Sequence, residues 1–481
     1  MIKKQNIKNN KGIILSSVLV FTMIAIPLII ALTAWFGTTL KSVRTLVQKE
    51  QSFHIAEAGI DFYKWHLDKD PDFLIGEDPL IQDFYDKEGN LVGNFSINVY
   101  KESDILVVES TGNINNQSNS DRTIRVKFSR PSFLEYAFIS DSPSYFREGT
   151  EVFGRVHSNG GIRFDGFAHN LISSAKDKYI DSTHDDGVEE FGVHTHYQVL
   201  DPYPPEEVPE RLDVFSAGRE FPVSAIDFNS LTFDFSELKT ETQNGNGLYF
   251  SESGENGYVI DLKTDGTFDL YKAENLENSP GSCVNQLEQD DWGTWSIKQN
   301  DLEKHADFVA NYEIPDDGTI FLEDHVWVQG QVDDVKVTIV AATLPDVESE
   351  RKNIIINNDV LYTNYDGSDS IVLIAQNNIN IGLMSEDDLR IDAALIAQNG
   401  RVGRYYYGKP GQGQSCATEE TRSQLTLYGT VISKEQFGFS YDDDSGYQTR
   451  NINYDPNLKL RPPKDIPTIS GDYRLISWEE I

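Results

Sequence analysis

Residues 12–40 read GIILSSVLVFTMIAIPLIIALTAWFGTTL and contain no charged side chain. About 20 apolar residues are enough to cross the hydrocarbon core of a bilayer, whereas the apolar core of a signal peptide has only about 7–15. This stretch therefore predicts a transmembrane helix that remains part of the mature chain.

The charges around this span predict its orientation. Four lysines precede or begin it, at positions 3, 4, 8 and 11, and the first carboxylate of the chain is that of Glu50. Positively charged flanks favour the cytoplasmic side of a membrane, so we expect a single crossing with the N-terminus inside and the C-terminus outside. Lys41, Arg44 and Lys49 weaken this bias, but no later segment is apolar enough to provide a second crossing.

The charge of the rest of the chain excludes one class of partner. The 481 residues carry a formal net charge of −36, and the seven basic residues before Glu50 leave −43 on the remainder. A surface this acidic repels phosphate groups, so we expect no nucleic-acid binding by the exported part.

A helical stripe and three alternating runs follow the apolar span. Apolar residues recur at steps of three and four from Phe53 to Leu67, which predicts that the helix continues to about Leu67 and ends before Asp70-Pro71. Residues 94–100, 105–110 and 123–128 alternate in polarity, which predicts an antiparallel meander packed on the helical stripe.

From Tyr136 onward, short β-branched runs alternate with glycine and asparagine. The pentapeptide LIAQN occurs in two of these runs, at 373–377 and at 395–399, offset by 22 residues. Such repetition favours the stacked rungs of a β-solenoid, and the alternative is a β-sandwich.

The fold class that we predict is α+β and mostly β, with a long N-terminal helix, a small antiparallel meander and a large β-solenoid-like or sandwich region. The expected divisions are a basic leader (1–12), the transmembrane and amphipathic helix (13–70), the meander (71–130), first β-rich rungs (131–200), a Pro-rich linker with a mixed insert (201–310), a solenoid-like region (311–440) and a C-terminal tail (441–481).

The two cysteines, Cys283 and Cys416, both fall in the part expected outside the cell, where a disulfide would persist. The sequence leaves open whether they pair or are two buried thiols.

The residue patterns that could indicate a metal-binding or catalytic site are unspecific. His194 and His196, with His184, Asp185 and Asp186 upstream, have no specific metal-ligand spacing, and we interpret them as surface residues of a polar loop. The acidic turns at 366–369 and 441–446 do not match a calcium-binding loop and are interpreted as solvated turns. We therefore expect no catalytic residues, no metal, no cofactor and no enzymatic activity.

The N-terminal segment resembles a known family. The run KGIILS at 11–16, the uninterrupted span and the run QSFHIAEAG at 51–59 resemble the N-terminus of PilX-type minor pilins, which carry a short basic leader, a glycine, an apolar helix and an AEAG-like motif. The resemblance covers about 65 residues. Segments at 154–160, 213–219 and 454–478 also look like parts of large bacterial pilus-associated surface proteins.

This resemblance implies a role in assembly. A prepilin peptidase would cut after Gly12 and leave Ile13 as the first residue, while Ser17 stands where main pilins usually have glutamate. The expected functional residues are five that pack the helix (Leu15, Leu19, Ile26, Leu28 and Phe36) and four at the junction between anchor and head (Ala56, Glu57, Ala58 and Gly59). Expected partners are the lipid bilayer, other pilin subunits and the pilus assembly machinery, with surface glycans or other cells as adhesive targets.

Two other functions remain as alternatives. One is a membrane-anchored surface enzyme acting on polysaccharide, because paired carboxylates are abundant and tryptophans can stack on sugars. The other is a structural envelope protein outside any pilus, held by an uncleaved anchor.

Overall fold

The structure is a computed structural model that describes residues 11–70, 73, 79–102, 105–114, 120–182, 187–231, 233–281, 283–289, 291–298, 307–315, 318–407, 416–460, 469 and 473–481. These residues form two compact units. The small unit takes the described residues up to Ser129 together with Tyr473–Ile481, and the large unit takes those from Arg130 to Asp472.

The small unit is built on one long helix, α1 (Lys11–Leu67). At 1.5 Å per residue its 57 residues span about 85 Å. Pro27 lies inside the helix and removes one backbone hydrogen bond there. Apolar side chains cover every face of the first half, whereas the second half has one buried stripe.

That stripe packs on a five-stranded antiparallel sheet. The strands are β1 (Leu80–Tyr85), β2 (Leu91–Glu102), β3 (Ile105–Ile114), β4 (Arg122–Ser129) and β31 (Arg474–Glu480), and this is also their order in the sheet. Alternation places Ile124, Val126 and Phe128 of β4 on the covered face. The last strand comes from the other end of the chain, so the large unit is inserted between β4 and β31.

The large unit contains all the other strands. A crossing segment at 221–247 divides them into two groups. The strands before it are β5 (Phe138–Ser140), β6 (Ser144–Phe146), β7 (Thr150–Phe153), β8 (Val156–Ser158), β9 (Ile162–Phe164), β10 (Phe167–Ala168), β11 (Ile172–Ser174), β12 (Lys178–Ile180), β13 (Glu189–Phe191), β14 (Val193–His194) and β15 (Arg219–Glu220). Those after it are β16 (Leu248–Phe250), β17 (Tyr258–Leu262), β18 (Thr267–Lys272), β19 (Asp307–Glu313), β20 (Thr319–Leu322), β21 (Val326–Val332), β22 (Lys336–Ala341), β23 (Ile354–Ile356), β24 (Val360–Tyr362), β25 (Ser370–Ala375), β26 (Ile379–Ile381), β27 (Asp388–Ala397), β28 (Val402–Arg404), β29 (Thr421–Ser433) and β30 (Gly446–Tyr454). Three short helices, α2 (Phe235–Gln243), α3 (Asp291–Thr294) and α4 (Asn457–Leu460), and four 3₁₀ turns, Phe133–Glu135, Phe228–Ser230, Glu348–Glu350 and Ala417–Glu420, complete its described part.

Parallel pairing organises these strands into columns. One column runs in the spatial order β16, β20, β22, β25, β27, β29, β5, β8, β11 and β15, and every neighbouring pair in it is parallel. The two LIAQN repeats are neighbours in register, with Leu373 opposite Leu395 and Ala375 opposite Ala397. The offset of 22 residues is therefore the step from one rung to the next.

The column order shows that strands late in the chain pair with strands at the beginning of the large unit. Val431–Ser433 of β29 pairs with Phe138–Ser140 of β5, so the last rung of the late strands abuts the first rung of the early ones. Residues 221–247 must then connect the two opposite ends of the stack. The described residues of this segment contact the stack at two points: Asn159 Nδ2 donates to the Ile226 carbonyl, and the Phe233 amide donates to Gln398 Oε1 at 3.0 Å.

This crossing segment is held by apolar contacts. Its Phe228, Leu231, Phe233, Phe235 and Leu238 are buried against outward-facing residues of the column, namely Ile139, Phe321, Val340, Val372, Ile374, Ala394, Ile396 and Ile432. The inward-facing residues of the same strands form a separate and larger core. Overall, the predicted fold class, α+β and mostly β with a long N-terminal helix, is confirmed.

Candidate functional site: the apolar helix and its junction with the sheet

The expected processing point lies at the start of the described chain. Gly12 and Ile13 are in the first turn of α1. Most of the predicted basic leader, including Lys3, Lys4 and Lys8, lies outside the described residues.

The five predicted packing residues are all exposed to solvent. Exposed fractions are 69% for Leu15, 53% for Leu19, 57% for Ile26, 55% for Leu28 and 61% for Phe36. Among the described residues, α1 is the one helix that is long and apolar enough to cross a membrane, by its length and composition. A continuous apolar surface of this size indicates contact with lipid or with other protein rather than with water.

Polar groups in this half of α1 are satisfied inside the helix. The hydroxyls of Thr22, Thr33, Thr38 and Thr39 each donate to a backbone carbonyl three or four residues earlier, at 2.8–3.0 Å. Such internal hydrogen bonds remove most of the cost of placing a hydroxyl in hydrocarbon. The threonines are thus compatible with a lipid-facing or helix-facing surface.

The AEAG motif at 56–59 marks the place where α1 meets the sheet. Ala56 and Gly59 face the strands and are buried, while Ala58 is partly exposed. A Cβ atom placed on Gly59 would come within 2.2 Å of Ser110 Oγ and 3.0 Å of the Phe95 ring. The small residues are needed because the helix backbone lies directly against β3.

Glu57 has a different role from its neighbours in the motif. Its carboxylate lies 2.9 Å from His54 Nδ1, one turn earlier, and 43% of its side chain is exposed. The helix continues through this point without a break. The junction is therefore the place where one continuous helix begins to pack on the sheet.

A glycine on the sheet completes the contact. A Cβ atom on Gly112 of β3 would lie 2.0 Å from the Ser52 carbonyl oxygen and 2.6 Å from the Ala56 amide nitrogen. Sequence reasoning missed Gly112 and the fully buried Ser52. The available signal was a glycine inside a strand pattern, which often marks a close approach of another backbone.

Strand β31 is attached to the small unit by an ion pair as well as by its pairing with β4. Arg125 Nη1 lies 3.2 Å from Glu479 and its Nη2 lies 2.8 Å from Glu109. The Trp478 ring meets that of Phe53 of α1 edge-on, with centroids 5.8 Å apart. Exposed ion pairs contribute only about 0–1 kcal/mol each, so the backbone ladder and the aromatic contact carry most of the attachment.

The cysteines form a disulfide in the structure, with Cα atoms 4.8 Å apart. Both are buried in a cluster with Trp295, Trp327 and Tyr407. The bond closes a loop with a sequence separation of 133 residues.

The two acidic turns have internal hydrogen-bond partners. Asp369 Oδ2 accepts the backbone amides of Thr363 and Asn364, and Asp443 Oδ1 accepts the amide and hydroxyl of Ser445. These hydrogen bonds stabilise the turns in which the two carboxylates lie.

One interpretation from the sequence is wrong. His194 is fully buried and 8% of the His196 side chain is exposed, so they are not surface residues of a polar loop. The reason is a short hairpin, β12 with β13, whose strands and the following β14 enclose both rings. His184, Asp185 and Asp186, which were considered with them, lie outside the described residues.

Known proteins resemble this chain only distantly. No family model and no curated protein matches the chain. Among solved structures, the competence-associated pilin ComZ from Thermus thermophilus is similar over 90% of this chain and 98% of its own, with 14% sequence identity and a TM-score of 0.35. At this level the likeness carries no argument about function, which must be built from the residues described above.

Proposed function

We propose that this chain is a minor pilin-like component of a type IV pilus or a related fibre. In this proposal α1 anchors the protein, first in the membrane and then in the fibre, and the large acidic unit is displayed at the cell surface. The observation that carries the proposal is the division of one continuous helix into an apolar half that is exposed all round and a half that is packed on a sheet through Ala56 and Gly59.

The exposed half of α1 supports assembly. Burying one large apolar side chain contributes about 1.5–3 kcal/mol, so a helix surface that includes Leu15, Leu19, Ile26, Leu28 and Phe36 has a large driving force to leave water. In a bilayer, lipid covers this surface. In a fibre, the same half-helices of other subunits would cover it, and the packed half would keep the head at a fixed distance.

Processing and docking follow from the same segment. A peptidase would cut after Gly12, which makes Ile13 the first residue of the mature chain. Ser17 then occupies the position at which a carboxylate could pair with a neighbouring subunit's amino terminus. With serine there, docking would depend on apolar packing, which suits a subunit present in few copies.

The large unit is the proposed display domain. Its strands pair in parallel columns, and this supports a β-solenoid over a β-sandwich, because sandwich sheets are antiparallel. The chain from Glu50 onward, which includes the large unit, carries a net charge of −43, and such an acidic surface would avoid anionic lipid headgroups and stay away from the membrane. Adhesion to surface glycans or to other cells is the role that we propose for it.

The test is co-isolation with fibres. Surface fibres sheared from the native host should contain this chain together with other pilin subunits. In a Gly12→Val variant the chain should stay in the membrane fraction, because its leader is not removed, whereas Gly37→Val, in the same helix, should leave processing unchanged. The absence of wild-type chain from sheared fibres would contradict the proposal, and release of sugar from envelope polysaccharide by the purified protein would favour the enzyme alternative.

A further inference from the structure

Four ionisable side chains meet inside the large unit, at the hairpin of β12 and β13. Asp181 directly follows β12, Glu190 lies in β13, His194 ends β14, and His196 is two residues further on. The cross-strand register places Tyr179 opposite Glu190, and the parallel pairing of β14 with β9 places His194 beside Arg163. Three separate chain segments therefore supply the cluster.

Burial makes this cluster unusual. Exposed fractions are 0% for His194 and 1% each for Asp181 and Glu190, and 8% of the His196 side chain is exposed. Burying carboxylates is costly unless positive charge or hydrogen bonds compensate them, and a bound cation would add to that compensation.

The ligand atoms of Asp181, His194 and His196 lie close enough together to hold a metal ion. His194 Nε2 lies 3.5 Å from Asp181 Oδ2 and 4.0 Å from Glu190 Oε2, and His196 Nε2 lies 3.2 Å from Glu190 Oε1. One ligand atom each from Asp181, His194 and His196 all fall within 4.8 Å of one another. Ligands about 2.1 Å from a tetrahedral zinc ion are about 3.4 Å from each other, close to the shorter of these separations.

The His194 ring is oriented for coordination. Its Nδ1 lies 3.3 Å from the carbonyl oxygen of Phe191, which can only accept, so Nδ1 carries the proton. Its Nε2 is the ring nitrogen that faces the two carboxylates. Within the part of the chain that the structure describes, no hydrogen bond reaches Nε2. A backbone carbonyl that fixes the tautomer in this way is a common outer partner of metal-bound histidine.

The electrostatic surroundings are negative. The carboxylates of Asp181 and Glu190 lie beside the His194 ring, and the Tyr179 ring lies 5.5 Å from it. A cation at the centre of the cluster would offset this field. It would also have a route of entry, since His196 lines an open cleft with Arg147, Glu148, Arg163 and Asp165.

We propose that Asp181, Glu190, His194 and His196 bind one divalent transition-metal ion of the zinc class. Two imidazole nitrogens with carboxylate oxygens suit Zn²⁺ better than Ca²⁺ or Mg²⁺, which prefer all-oxygen ligands. The enclosed position assigns the ion a structural role, in which it joins the hairpin of β12 and β13 to the segment at 194–196.

The experiment uses the full-length protein in detergent, freed of metal by a chelator and titrated with Zn²⁺ and separately with Co²⁺. We expect one Zn²⁺ per chain, a visible absorption band of tetrahedral Co²⁺, and a higher melting temperature when Zn²⁺ is present. His194→Ala should weaken Zn²⁺ binding about 100-fold or more, because loss of an outer partner alone costs about 10–100-fold. His169→Ala is the matched control, as this histidine pairs with Glu151 away from the cluster, and it should bind Zn²⁺ like the wild type.

A second variant covers the case in which His194→Ala does not fold. His196→Gln changes the ligand nearest the cleft, and it should fold and bind Zn²⁺ at least tenfold more weakly. If the chelated wild type binds neither Zn²⁺ nor Co²⁺, the cluster is a proton-bridged ion network and the proposal is overturned. Zn²⁺ binding that is unchanged in both His194→Ala and His196→Gln would overturn it as well, because the metal would then be bound elsewhere.

Discussion

Gly59 of α1 lies directly against Ser110 of β3, so closely that a Cβ atom on the glycine would come within 2.2 Å of the serine hydroxyl oxygen. A larger residue at this position would require the Ser110 hydroxyl and the Phe95 ring to move. The same approach is repeated one turn earlier by Gly112 under Ser52 and Ala56. These two glycines allow the second half of α1 to lie close against the sheet of the small unit.

Gly112→Ala is expected to destabilise the small unit by about 1–3 kcal/mol, the usual cost of forcing extra atoms into a packed interface. The new Cβ would meet backbone atoms of α1, which cannot rotate away as a side chain could. Chemical unfolding of the full-length protein in detergent measures the change. Gly37→Ala is the control, because nothing lies within 4 Å of its added Cβ, and a loss of stability as large as that of Gly112→Ala would contradict the packing account.

Reduction of the disulfide is expected to destabilise the large unit. In the chain-entropy model a bond closing a loop of 133 residues contributes about 5 kcal/mol. Unfolding with and without reductant gives the difference for the wild type, and the double variant Cys283→Ser, Cys416→Ser should be insensitive to reductant. A wild-type protein whose stability does not change on complete reduction would show that the bond contributes nothing.

His325 is expected to make the large unit sensitive to mild acid. Burial, and then the charge of Lys352, lower the pKa of His325 to about 4, and its Nδ1 accepts the Asn353 amide at 3.0 Å. The unfolded chain binds a proton near pH 6.5 while the folded chain does not. The free energy of unfolding is therefore fully retained above pH 6.5 and falls as the pH drops towards 4.

The expected loss is about 2 kcal/mol, reduced from the full shift because part of His325 still contacts solvent. His325→Asn keeps an acceptor oxygen without a titrating group, so its stability should fall less over the same pH range. Unfolding curves at several pH values compare the two proteins, and equal slopes would show that other groups cause the acid sensitivity.

Removal of residues 473–481 is expected to loosen the small unit. Strand β31 pairs with β4 and covers an edge that would otherwise be open. Net ladder bonds contribute about 0.5–1.5 kcal/mol each, so we expect a loss of about 3 kcal/mol and faster hydrogen exchange at the β4 amides. Ile481→Ala, a change at an exposed terminal residue, serves as the control. Unchanged exchange in β4 would mean that β31 is not bound there.

The sequence predicted those parts of the structure that appear as a regular pattern of residue types along the chain. The steps of three and four from Phe53 to Leu67 correspond to the buried stripe of α1, and the alternation at 123–128 corresponds to the two faces of β4. The LIAQN repeat has a stacking register that matches its offset. The first two of these signals report periods that the backbone itself imposes.

Other features depend on contacts between distant residues, which one sequence does not reveal. The pairing of Val431–Ser433 with Phe138–Ser140 joins strands almost 300 positions apart. His194 and His196 were placed on the surface because their sequence neighbours are polar, yet the hairpin around them encloses both rings. Gly112 is a single glycine in a strand until α1 is known to lie against it.

The mature N-terminus of the protein isolated from its native host tests the central claim most directly. N-terminal sequencing or intact mass should show a chain that begins at Ile13, because removal of the leader after Gly12 frees the apolar half of α1 for fibre assembly. A chain that still begins at Met1 would contradict the pilin-like account and leave α1 as a membrane anchor only.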